Sequence, residues 1–258
     1  MVNLNIACLQ ADITWQDRDA NLERYGCLID TIGGDTDLIV LPETFNTGFP
    51  VEAEAFSEGR DGVTMRWMSD MAKKKHAVVA GSLLLDEADG YYNTLVLASP
   101  DGSFRTYRKR HTFALGGEGE PIKRGNDKVI VEIKGWRIMP LVCYDLRFPV
   151  WSRNSFVDGT FAYDALLYVA NFPDSRMSAW DTLLMARAIE NQAYVVAVNR
   201  IGTSPDGTYY SGHSQAIDPR GSLMAMAADG KEQVVRVVLS GDDLLSSRHK
   251  FPVAQDWD

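Results

Sequence analysis

Short, wholly apolar runs alternate with segments of helical periodicity along most of this 258-residue chain, and that alternation limits what it can fold into. Asp37-Leu-Ile-Val-Leu and the run 164–170 read as buried strands, as do 5–10, 77–84 and 193–199. Between them, Asp17 caps a helix whose Leu22, Tyr25, Ile29 and Ile32 recur at helical spacing before Gly33-Gly34 ends it. A second helix, 63–76, carries Val63, Trp67 and Met71 on one stripe. A third sets Trp180, Leu183, Leu184 and Ala188 on one face and ends near Gln192. A short helix is expected over 149–154. Turn residues at Pro100-Asp-Gly, Lys134-Gly, Pro219-Arg-Gly and Asp229-Gly predict hairpins. The pattern is that of an α/β protein with helices covering mixed sheets. No repeat or low-complexity linker divides it, so residues 1–258 read as a single domain.

In such folds ligands gather at the carboxyl ends of strands. Three apolar runs stop there on a reactive side chain: Glu43, Lys109 and Cys143. Cys143 closes Ile138-Met-Pro-Leu-Val and precedes an expected helix, whose positive N-terminus would favour the thiolate; otherwise it is a small buried apolar residue, as Cys8 and Cys27 are read to be. Glu43 is either a solvated strand-end acid or a desolvated proton carrier. Lys109, within Tyr107-Arg-Lys-Arg-His, is either a solvated cation or an oxyanion donor. Together they meet the needs of amide hydrolysis: a nucleophile, a base that later protonates ammonia, and donors aimed at the oxyanion. No histidine flanks Cys143, so a Cys-His hydrolase using the distant His111 or His213 stays open.

Thirty-five acidic residues against twenty-six Lys and Arg give a net charge of −9, and with no basic block the chain is a poor partner for nucleic acid or anionic lipid. No apolar run approaches the ~20 residues of a membrane span, and the N-terminus lacks the features of a signal peptide. Three scattered cysteines argue against a disulfide framework, and four scattered histidines against a structural metal. A cytoplasmic protein without metal or cofactor is expected.

Leu41-Pro-Glu-Thr-Phe, Tyr107-Arg-Lys-Arg-His, Val142-Cys-Tyr-Asp-Leu-Arg-Phe-Pro and Ala186-Arg-Ala-Ile-Glu-Asn-Gln-Ala-Tyr-Val together resemble the nitrilase superfamily of carbon-nitrogen hydrolases. Asn199-Arg-Ile-Gly, Phe45-Asn-Thr-Gly-Phe and Lys250-Phe-Pro look most like its bacterial omega-amidases. The resemblance implies a four-layer α-β-β-α sandwich with two mixed sheets, usually forming a homodimer. It further implies Cys143 as nucleophile, Glu43 as general base, and Lys109 with the Tyr144 N–H as oxyanion donors. A second active-site glutamate would be Glu118, with Glu120 as the alternative register. The implied substrate is a short α-keto acid amide, α-ketoglutaramate or α-ketosuccinamate, whose carboxylate needs a cation. Arg147 is the candidate, either clamping that carboxylate or pairing with Asp145. Phe49, Phe113, Asn171 and Phe172 are candidates for the pocket wall, the aromatics being plain core otherwise. The same triad would serve an N-carbamoyl or aliphatic amidase, and a non-catalytic binding module on this fold is a further alternative.

Overall fold

The computed structural model describes residues 1–49, 52–119 and 122–257, so Glu120 lies outside the described residues. In chain order the strands are β1 Leu4–Gln10, β2 Leu38–Val40, β3 Val78–Glu87, β4 Gly90–Ala98, β5 Phe104–Arg108, β6 Val131–Ile133, β7 Trp136–Val142, β8 Phe156–Val157, β9 Thr160–Phe161, β10 Ala165–Ala170, β11 Tyr194–Asn199, β12 Ile201–Thr203, β13 Tyr209–Ser211, β14 Gln215–Ile217, β15 Leu223–Met226 and β16 Gln233–Leu239. The helices are α1 Arg18–Asp30, α2 Ala53–Phe56, α3 Val63–Lys75, α4 Pro149–Ser152, α5 Met177–Asn191 and α6 Gly241–Lys250.

Twelve strands form two six-stranded mixed sheets, ordered β16-β1-β2-β3-β4-β5 and β15-β14-β11-β10-β7-β6. Parallel pairing runs through β1-β2-β3 and through β7-β10-β11, and the flanking pairs are antiparallel. Alternation along β1 divides the layers. Leu4, Ile6 and Cys8 enter the core shared with the second sheet, while Ala7 and Leu9 pack with Leu22, Tyr25 and Ile29 of α1 and with Met65, Met68 and Ala72 of α3. Beyond the second sheet, Trp180, Leu184 and Ala188 of α5 complete the sandwich. The apolar strands are thus buried on both faces, which is why their sequences lack polar alternation.

The Asp17 side chain caps α1 by accepting from the Ala20 N–H at 3.0 Å. Three expectations are corrected. On α3 the buried face is Thr64, Met65, Met68, Ser69 and Ala72; Val63 is exposed, and Trp67 and Met71 sit at the margin. The helix turns the stripe that touches β3 toward Met65 and Met68, which outweighs the apolar character of the neighbouring row. Cys27 is exposed rather than packed, because Leu22, Tyr25 and Ile29 already cover the inward face of α1. The Asp229-Gly turn joins no hairpin: β15 stays in the second sheet, and β16 crosses to pair antiparallel with β1 over Leu4↔Leu239 to Gln10↔Gln233. Turn chemistry is local and does not choose the partner strand.

The C-terminal helix is tied to the second sheet by a buried ion pair. Asp164 accepts from Arg137 Nε at 3.0 Å and from Arg248 Nη1 at 2.8 Å. Burial alone would raise this carboxyl, but the two arginines outweigh it and hold it below its ordinary value. Its contribution is therefore complete above the unfolded-state value near ~4 and is lost as pH falls through the lowered folded value. Asp164→Asn should cost about 3 kcal/mol at neutral pH, as expected for breaking a buried pair. Denaturant titrations should show the gap to wild type narrowing below pH ~4; a gap that is the same at both pH values would contradict this.

Candidate active site

Glu43, Lys109 and Cys143 lie far apart in sequence and meet at the carboxyl ends of β2, β5 and β7. Glu43 and Lys109 are almost completely buried, so their charges persist only through close partners. Lys109 Nζ donates to Glu43 Oε1 at 2.8 Å and to Glu118 Oε2 at 2.6 Å. An ammonium has three N–H donors; two are thereby used, and the third is left for the cavity that Lys109 helps to line. Burial works against this charge, but Glu118 and Glu43 outweigh it and raise the lysine above its ordinary value, so it stays protonated.

The carboxylates are fixed from several sides. Asn93 Nδ2 on β4 donates to Glu43 Oε1 at 2.8 Å and to Glu118 Oε1 at 2.9 Å, spanning the two. The Asn171 N–H donates to Glu43 Oε2 at 2.8 Å, reaching across from the end of β10 in the second sheet. Glu118 Oε2 also accepts the Phe113 N–H at 2.8 Å, which closes the turn 113–118. Thr44, after Glu43, has φ +41° and is held by the Ser82 hydroxyl and by Asn171 Nδ2, each at 2.9 Å.

Cys143 follows the last residue of β7 with φ +44°, a left-handed conformation costly for a side chain other than glycine. Asp145 enforces it. Its buried carboxylate accepts the Val142 N–H at 3.0 Å and the His111 N–H at 2.9 Å, together with the Tyr107 hydroxyl at 2.8 Å. The chain is pulled from strand into the 3-10 turn Cys143–Arg147, whose first N–H groups, that of Tyr144 among them, have no acceptor within the turn. The expectation of a thiolate is corrected. Burial first, and then the charge of Glu43, push the Cys143 thiol well above its ordinary value, and Lys109 offsets only part. A five-residue turn carries little of the dipole that a full helix would supply.

Cys143 opens onto a cavity of about 250 Å³. All of Phe49, Phe113, Tyr144, Arg147, Asn171 and Phe172 line it, while Glu43 and Glu118 sit behind the Lys109 floor. Arg147 does not pair with Asp145, whose oxygens are engaged elsewhere; its guanidinium lies 5.5 Å from the Phe172 ring centre. His111 stacks on Phe148 and contacts Asp145 at 2.7 Å, and His213 lies between Asp181 and Asp229. Among the described residues neither hydrogen-bonds Cys143, so no Cys-His pair forms. Nor, among the described residues, do three His, Cys, Asp or Glu side chains converge on a metal-sized site. Sequence reasoning missed Asn93, Asp145 and Arg176 as site residues. Asn93-Thr94 is a polar pair inside an otherwise apolar strand, a signal that could have found the first. Asp145 stands within the Cys143 motif but is read there only as a partner for Arg147, and no local signal marks Arg176.

The carbon-nitrogen hydrolase family model matches residues 5–244. An omega-amidase, YafV, from Escherichia coli K12 is 45% identical over 258 residues, covering 100% of this chain and 98% of the relative. A 2-oxoglutaramate amidase from Bacillus subtilis is 34% identical, covering 97% of this chain and 96% of the relative. The crystal structure of a CN-hydrolase superfamily protein from Xanthomonas campestris, with an arsenic adduct in its active site, superposes with a TM-score of 0.97 at 42% identity, covering 100% of this chain and 98% of that one.

Since Glu43 is an anion facing the thiol, Glu43→Gln should lower the pH at which Cys143 ionises by about one unit. Ultraviolet thiolate absorbance against pH measures this, and an upward displacement would refute the electrostatic picture.

Proposed function

The chain belongs to the carbon-nitrogen hydrolase family, and from that premise we propose that it hydrolyses the distal amide of a short α-keto acid amide, α-ketoglutaramate or α-ketosuccinamate. The products are ammonia and a keto dicarboxylic acid. The observation that carries the reading is the buried Glu43–Lys109 contact at 2.8 Å on the floor of a cavity that also exposes Cys143 and, among its lining groups, arginine.

Glu43 takes the thiol proton as Cys143 Sγ bonds to the amide carbon. This route suits a thiol held protonated at rest, since the base acts at the moment of attack. The carbonyl oxygen becomes an oxyanion, met by the remaining N–H of Lys109 Nζ and by the Tyr144 N–H. As the tetrahedral species collapses, the carbon-nitrogen bond breaks, Glu43 returns its proton to nitrogen, and ammonia departs from a thioester. Water then gives a proton to Glu43 and attacks the thioester carbon; the carbon-sulfur bond breaks and the thiolate recovers the proton. Glu118 acts as the second glutamate, positioning Lys109 for both steps. Arg147 holds the carboxylate of the substrate, with Phe49, Phe113, Asn171 and Phe172 forming the wall.

Residues 1–258 are assigned to one hydrolase domain, its cavity groups running from Phe49 to Tyr210 across both sheets. A second copy of the chain is assigned to the edge strand β15, where Leu223, Met224 and Met226 are exposed, and to the adjoining turn, where Gly221 meets the exposed Met185 and Ile189 of α5. Among the described residues no helix is long and apolar enough to cross a membrane. A chain with an exposed Cys27 and a nucleophilic Cys143 suits a reducing cytoplasm.

Cys143→Ala should lower ammonia release from α-ketoglutaramate by at least about 10³-fold while the circular dichroism spectrum stays that of wild type. Comparable turnover in the variant would exclude the mechanism. Sedimentation should give a dimer for the wild type and a shift toward monomer for Ile189→Asp; an unshifted dimer would move the interface elsewhere.

A further inference from the structure

Arg176 ends the 3-10 turn Asp174–Arg176, directly after the cavity wall Asn171-Phe172-Pro173, and supplies the N-cap of α5. A cation is poorly placed there, because a helix begins with positive partial charge, and Arg176 makes no capping hydrogen bond. Its position does nothing for the helix. The guanidinium lies 5.0 Å from the Phe113 ring centre and faces the same cavity as that of Arg147 over Phe172. Among the described residues neither arginine forms an ion pair, so two cations with aromatic backing converge on one space.

The charges of the cavity are unevenly distributed. On its floor one ammonium, Lys109, faces two carboxylates, Glu43 and Glu118, beside a protonated thiol, which leaves the floor negative. Elsewhere its wall carries Arg147, Arg176 and a single carboxylate, Asp206. Hydrogen bonds from Ser204 and Thr208 engage Asp206 and hold its carboxyl below the ordinary range. That wall is positive. An anion with an amide at its far end is therefore drawn in with its charge toward the arginines rather than toward the floor.

Resting on the reading that the cavity takes keto-acid amides, we propose that Arg176 is a specificity-determining residue that shares the α-keto carboxylate of the substrate with Arg147. Carboxylate and keto oxygens are all acceptors and match guanidinium donors. An α-ammonium in the same place would meet two cations, so the pair favours the 2-oxo acid amide over the amino acid amide of equal length.

The test compares Arg176→Met and Arg176→Lys with wild type on α-ketoglutaramate, glutamine and the uncharged pentanamide. Loss of the guanidinium in Arg176→Met should raise KM for α-ketoglutaramate about tenfold or more, with kcat within about twofold. KM for pentanamide should stay unchanged, the preference over glutamine should shrink, and Arg176→Lys should recover part of the affinity. An equal rise in KM for both α-ketoglutaramate and pentanamide, or no rise at all, overturns the proposal. A second measurement does not need turnover: 2-oxoglutarate should slow alkylation of Cys143 by iodoacetamide in wild type and do so much less in Arg176→Met. Equal protection, or none in either protein, overturns it as well. If wild type releases no ammonia from α-ketoglutaramate, the proposed activity fails, while the protection experiment still decides the role of Arg176.

Discussion

The ammonium of Lys109, buried between Glu43 and Glu118, is the contact on which the architecture around the cavity turns. Desolvating three charges is expensive and is tolerated only when each is matched by close donors or acceptors. Each match comes from a different part of the chain. Glu43 follows β2, Lys109 follows β5, Asn93 lies in β4, and Asn171 arrives from the second sheet. The charge cluster thus sits at the seam of the two sheets, and the geometry required for chemistry is also the geometry that seats one sheet on the other.

Asp145 plays the corresponding part for Cys143. It spends its acceptor capacity on Val142, Tyr107 and the backbone and ring of His111, and the strained turn at Cys143 follows. Arg187 adds a donor to the Leu146 carbonyl at 2.7 Å, anchoring the turn to α5. Strain of this sort persists only where surrounding bonds over-determine it. Protons can then be passed within the cluster while the backbone around it stays fixed.

Much of the fold was legible because its central strands are buried on both faces: β2, β10 and β11 show as unbroken apolar runs, and the first two end at Glu43 and Asn171. The helix boundaries were legible from Asp17 and from the turn beyond Asn191. What escaped was information held in tertiary partners. The row of α3 that faces inward is set by its docking on β3, and β16 reaches β1 because that edge was vacant, neither of which a local pattern records. Among site residues, Glu43, Lys109 and Cys143 stand at strand ends and announce themselves. Asp145 and Arg176 do not, since a motif acid and a loop arginine look alike whether solvated or directed inward. The protonated thiol is not legible because a 3-10 turn separates Cys143 from the short α4 and because burial beside Glu43 leaves no trace in sequence.

The backbone at Cys143 carries a further consequence. Position 143 has the conformation of a glycine site occupied by a side chain that the proposed mechanism requires. Glycine there would relieve the strain and give up the sulfur, so under the proposed mechanism the substitution that best suits the fold is one that silences the enzyme. Stability and activity oppose each other at a single residue, and random drift toward a sturdier molecule would run through inactivation. A lineage carrying this turn keeps its cysteine only for as long as turnover is selected.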